Sequence, residues 1–120
     1  MLLLKEIIEV IIIVREVFII MKNIVLFCAA GMSTSLLVNK MKAAAAENGL
    51  EYEIAAHPLS EADTYGPEAD IILLGPQVKY KLKETQDQFP DKPVEAINMQ
   101  DYGMMNGANV IKRVKEVLGD

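Results

Sequence analysis

Residues 27–35 read Phe-Cys-Ala-Ala-Gly-Met-Ser-Thr-Ser, and they hold the one cysteine of the chain. The stretch follows an apolar run, Ile24-Val25-Leu26-Phe27, and runs into Leu36-Leu37-Val38, where a helical pattern begins. A strand, a short loop of small and hydroxyl residues, and a helix bring backbone N–H groups and a positive helix end to one spot. A thiol there gives up its proton readily and can hold a phosphoryl group among the amides. Cys28 is therefore read as a nucleophile that carries a phosphoryl group. The amides of Ala29, Ala30, Gly31, Met32, Ser33, Thr34 and Ser35 are its expected cradle, with Gly31 free to take an unusual backbone angle. The hydroxyls of Ser33, Thr34 and Ser35 have two open roles, as added donors or as the cap of the helix. The expectation depends on the sulfur not being buried beneath side chains.

The letters around the cysteine sort the alternatives. A nucleotide P-loop needs Gly-Lys-Ser/Thr, and the loop has no lysine. A receiver domain needs acidic residues at strand ends, and no Asp or Glu lies between Lys22 and Ala46. A cysteine phosphatase has a similar loop, but with an arginine six residues after the cysteine that forks onto the phosphoryl oxygens. Here that residue is Thr34. Losing one such donor costs roughly a hundred- to a thousandfold in rate. The loop is thus suited to hold a phosphocysteine and poorly equipped to hydrolyse it. A phosphatase-like hydrolase and an anion-sensing binding module are the competing readings.

Composition sets outer bounds. The 120 residues are 52% hydrophobic and 24% charged, as expected of one α/β domain with a buried sheet. A net charge of −5 speaks against nucleic acid as a partner. A single cysteine excludes an internal disulfide or a multi-cysteine metal site and fits a reducing cytoplasm, and His57 is the only histidine. No metal and no cofactor is expected.

Residues 1–20 are rich in Ile, Leu and Val but interrupted by Lys5, Glu6, Glu9, Arg15 and Glu16. That many charges argue against a membrane span or a signal peptide. An amphipathic helix fits, since Lys5, Glu9 and Glu16 fall close together on a helical wheel. The segment is read as an extension, with a non-native upstream start favoured over a docking helix; residues 21–120 are the working domain.

Beyond Met21, strands and helices alternate. Strands are expected at Asn23–Phe27, Tyr52–Ala56, Asp70–Leu74 and Val94–Ile97. Helices are expected at about Ser35–Asn48 and Val78–Phe89, with a last helix carrying Val110, Ile111, Val114, Val117 and Leu118 on one face. Ser60 opens a short helical turn, and residues 98–107 form a loop or a helix entry. The fold class is α/β: a four-stranded open parallel sheet in the flavodoxin-like order 2-1-3-4, helices on both faces. Ligands of such sheets bind outside the carboxyl ends of strands where the order reverses. That rule sets Cys28 beside Gly75-Pro76-Gln77 and makes residues 98–105 a possible outer wall.

Three collinear stretches carry a family likeness: Cys28 to Ser35, Leu74-Gly75-Pro76-Gln77-Val78 with Tyr80, and Asp101-Tyr102-Gly103-Met104-Met105-Asn106-Gly107. Residues 21–120 closely resemble the IIB component of the lactose/cellobiose (diacetylchitobiose) class of the bacterial phosphoenolpyruvate-dependent sugar phosphotransferase system. The resemblance implies that Cys28 is phosphorylated from a phosphohistidine on a IIA partner. It also implies delivery to a sugar bound in the membrane-embedded IIC transporter, which ties a cytoplasmic protein peripherally to the membrane. Cellobiose, chitobiose, lactose and other β-glucosides all stay open as the sugar. Gln77 and Tyr80 are expected near the loop, as supports or as partner contacts. Met104 and Met105, with Met32, are candidates for an adaptable apolar rim.

Overall fold

The computed structural model describes residues 3–29 and 34–120. Four parallel strands, β1 (Lys22–Cys28), β2 (Tyr52–Pro58), β3 (Ile71–Leu74) and β4 (Val94–Ala96), make one sheet in the order β2-β1-β3-β4. This is the expected 2-1-3-4 order. The helices are α1 (Leu4–Ile20), α2 (Thr34–Glu47), α3 (Ala62–Tyr65), α4 (Leu82–Gln88), α5 (Met99–Gly103) and α6 (Gly107–Leu118).

Strand periodicity divides the interior in two. From β1, Ile24 and Leu26 turn to one face, where they meet Leu37, Val38 and Met41 of α2 and Val110, Ile111 and Val114 of α6. Val25 and Phe27 turn to the other, against Ala62, Val78 and Phe89. Both faces of the central strands are therefore apolar, which is why β3 reads Ile-Ile-Leu-Leu without alternation. Full burial of a side chain such as Phe27 stabilises the fold by about 1.5–3 kcal/mol.

Two elements differ from the sequence reading. β2 does not close at Ala56 but runs on through His57 and Pro58, with Pro58 opposite Cys28. Proline lacks the N–H of a ladder, yet β2 is an edge strand and needs none on its outer side. The stretch after β3 is not one helix from Val78. A 3₁₀ turn covers Pro76–Lys81, with Val78 off helical angles at φ −116°, before α4 begins at Leu82. Pro76 fits the first position of that turn, and the distortion lets Val78 sink into the second core while Tyr80 faces solvent.

The sheet's other border, β4, is only three residues long. Gln86 Nε2 donates to the outward carbonyl of Val94 at 3.1 Å. Glu95 is held by Arg113 of α6 through a bidentate pair at 3.0 and 3.2 Å.

The described side chains of α1 enter neither core. Leu4, Ile7, Ile11 and Val14 are all exposed. Among the described residues, no helix is long and apolar enough to cross a membrane.

Candidate functional site

Cys28 is the last residue of β1, at the carboxyl edge of the sheet, with β2 on one side and β3 on the other. By the alternation of β1 its side chain follows Ile24 and Leu26 toward the α2 face. There Thr34, the first residue of α2 and 0% exposed, sets its hydroxyl 3.6 Å from Sγ. On the β2 side the thiol lies 3.8 Å from the main-chain carbonyl oxygen of His57, in donor geometry. The residue is 1% exposed.

That enclosure corrects the expectation of an open sulfur. Its recorded hydrogen-bonding neighbours are nonetheless a hydroxyl and a carbonyl, groups that orient a thiol. Of the expected cradle, Ala29 is exposed, Thr34 is buried and Ser35 is exposed in the first turn of α2. Ala30, Gly31, Met32 and Ser33 lie outside the described residues, so the cradle itself is an expectation carried from the sequence.

Gly75 meets the site from β3. Its N–H donates to the carbonyl of Phe27 at 2.9 Å. A Cβ built on Gly75 would stand 3.7 Å from the Cys28 Cβ and 2.7 Å from Oε1 of Gln77. The exposed Gln77 thus folds its amide back over Gly75, which borders the cysteine. Tyr80 is 79% exposed, with the ammonium of Lys81 5.9 Å from its ring centre. The two methionines part company. Met104 is 70% exposed, whereas Met105 packs partly against the α2–α6 core with a left-handed φ of 52°.

Three features were missed from sequence. The carbonyl of His57 reaches the sulfur only because β2 continues to Pro58. The His57 ring, by contrast, stacks on Tyr65 at 3.5 Å between centroids, with Glu61 3.8 Å from Nδ1, and is thereby engaged in packing. Met99, 73% exposed, opens α5, and the exposed Leu36 lies in the first turn of α2. Like Tyr80 and Met104, both are large apolar side chains left exposed in segments that follow strands of the sheet. The signal for Leu36 was its place outside the i, i+3, i+4 pattern that buries Thr34, Leu37, Val38 and Met41. Met99 carried none.

Comparison with known proteins agrees with this arrangement. The family model "PTS system, Lactose/Cellobiose specific IIB subunit" matches residues 23–113. The galactose-specific EIIB component of Lactococcus lactis subsp. cremoris is 46% identical over 104 residues, covering 81% of this chain and 96% of that protein. The cellobiose-specific EIIB component of Lactococcus lactis subsp. lactis is 45% identical, with the same coverage. The oligo-beta-mannoside-specific EIIB component of Bacillus subtilis is 41% identical over 101 residues, 82% of this chain and 97% of that protein. Among solved structures, the cellobiose-specific IIB component of Borrelia burgdorferi superposes with a TM-score of 0.64 at 35% identity, covering 77% of this chain and 86% of that one. The lactose-specific IIB domain of Streptococcus pneumoniae, at 18% identity and a TM-score of 0.69, covers 80% and 96% and shares the fold. With 91 consecutive residues matched, from the second residue of β1 into α6, the chain belongs to the lactose/cellobiose-specific IIB family of the sugar phosphotransferase system.

Proposed function

We propose that Cys28 is the phosphoryl carrier of this IIB protein. Its thiolate attacks the phosphorus of a phosphohistidine on a IIA partner, the S–P bond forming as the N–P bond breaks and the imidazole leaves. The phosphoryl group then passes to a hydroxyl of a sugar held by a IIC transporter, and the thiolate is regenerated. The observation that carries the reading is Thr34, whose neutral hydroxyl lies beside the sulfur where a hydrolase of similar loop would put a guanidinium. A hydroxyl can orient the sulfur and donate to a phosphoryl oxygen, but it supplies little of the charge that stabilises attack by water.

Leu36, Tyr80, Met99 and Met104 suit this role as an apolar rim on which IIA and IIC dock in turn, at the cytoplasmic face of the membrane. The sugar is left to the transporter: relatives named for galactose, cellobiose and oligo-beta-mannosides stand at 46, 45 and 41% identity.

Incubation with phosphoenolpyruvate and the upstream phosphotransferases is expected to add one phosphoryl group to the intact mass, and none to Cys28→Ser. Because Cys28 is enclosed, the reading also requires that the sulfur be reachable: iodoacetamide is expected to alkylate it in the folded protein. A folded protein that resists alkylation and takes up no phosphoryl group sinks the proposal.

A further inference from the structure

Asp101 to Gly107 carries part of the family likeness but takes no part in the proposed phosphoryl transfer, and the structure shows what it builds. Asn106 caps α6 by accepting from the N–H of Asn109 at 3.0 Å. The Asn109 amide donates to both oxygens of the Asp101 carboxylate at 2.9 Å, and the N–H of Asn106 donates to the Asp101 carbonyl at 2.8 Å. Together with the left-handed Met105, these bonds pin the start of α6 to α5. Gly107, the first residue of α6, is then pressed on the backbone of α2. A Cβ built there would lie 2.5 Å from the carbonyl carbon of Lys40 and 2.6 Å from the nitrogen of Met41. Both are backbone atoms that cannot turn aside. Lys40 lies about 9 Å along α2 from Thr34, within one rigid helix.

We infer that Gly107 is a positioning residue for the phosphoryl site: its missing side chain lets α6 hold α2 at the depth that sets the Thr34 hydroxyl 3.6 Å from the Cys28 sulfur. A methyl group at 107 pushes on α2, because the start of α6 is bonded on its other side to α5. The push is felt at Thr34. Errors of about 1 Å in such placements cost up to a hundredfold in rate. The inference rests on the carrier reading for its catalytic consequence, though not for its geometry.

The test is Gly107→Ala, measured beside Val114→Ala, which thins the same helix from inside the core without pressing on α2. With a phosphorylated IIA protein of the lactose/cellobiose class as donor, Gly107→Ala is expected to slow single-turnover transfer roughly tenfold at saturating donor. Its half-saturation concentration should not change, and the 31P resonance of the phosphocysteine should move. Val114→Ala should lower the melting temperature and leave rate and resonance alone. In a Thr34→Val background, Gly107→Ala should slow transfer little further, since its target is gone. A Gly107→Ala protein that melts early but transfers at the wild-type rate overturns the inference. If that variant does not fold, Asn106→Ala, which only loosens the cap, should show a smaller loss of the same kind; an unchanged rate there overturns it too. If the wild-type protein takes up no phosphoryl group, the carrier reading fails separately. Positioning is then read from the iodoacetamide alkylation rate of Cys28, which Gly107→Ala should alter severalfold and which, if unaltered, counts against it.

Discussion

The two ends of the sheet are built from different chemistry. At the amino end, charge and hydrogen bonds fasten the strands. Lys22 Nζ lies 2.6 Å from Asp120 Oδ1, and the Tyr52 hydroxyl donates to Asp120 Oδ2 at 2.5 Å, joining β1 and β2 to the segment after α6. The N–H of Asn23 donates to the Asp70 carboxylate at 2.7 Å, and its side-chain amide to the Glu68 carbonyl at 3.1 Å. At the carboxyl end, the cysteine's recorded neighbours are a hydroxyl, a carbonyl and the hydrogen of a glycine. No carboxylate stands between Lys22 and Ala46 to repel a phosphoryl dianion. The ionic fastening of the first end has no counterpart in the groups that touch the cysteine.

Substitutions test that contrast, beginning at the carboxyl end. Cys28→Ser should abolish phosphoryl capture, read by intact mass, while leaving the melting temperature near that of the parent. Thr34→Val keeps the shape of a fully buried side chain and deletes its hydroxyl; transfer should slow roughly tenfold, measured in single turnover. A normal rate would make the hydroxyl a helix cap only.

At the amino end the effect should fall on stability alone. Asp120→Ala should cost about 1 kcal/mol in urea unfolding, the partners being partly exposed, with phosphoryl capture intact. The hydrogen bonds from Lys22 and then Tyr52 hold the Asp120 carboxyl below its ordinary range. The folded pKa is thus lower than the unfolded one. The stabilisation is complete above the unfolded value and fades as pH falls through the folded value, so parent and variant should converge in acid. Burial first, and then the bond to Asp120, raise the Tyr52 phenol above its usual value. Its contribution is full below the unfolded phenol pKa and declines as the pH climbs past it. Smallest of all, deleting residues 1–20 should change neither transfer nor stability, because the described apolar side chains of α1 enter neither core. We propose residues 21–120 as the working carrier domain on that basis.

Much of this architecture is written locally. β1 and β3 are apolar runs, α2 is built of Lys, Met and Ala, and α6 repeats its apolar residues at helical spacing; each is legible because a single neighbouring layer decides it. What escaped depends on contacts far apart in the chain. Pro58 reads as a strand breaker until β2 is known to be an edge strand whose partner there is Cys28. Asn98 signals α5 only once its side chain is seen to accept from Gln100 and Asp101. Gly107 falls in the stretch read as a loop or a helix entry, and nothing nearby in sequence shows that α2 presses on it. The loop reading singled out Cys28, but its enclosure was not legible, because the His57 carbonyl comes from 29 residues away.

The border strand β4 has a bearing on life at high concentration. A foreign strand trying to lengthen this sheet meets three residues, a carbonyl already taken by Gln86 and an Arg113–Glu95 pair. Such a rim gives fibril growth almost no template. On this side of the sheet, copies of the chain therefore meet a border already occupied, which leaves β2 as the one open edge among the described strands.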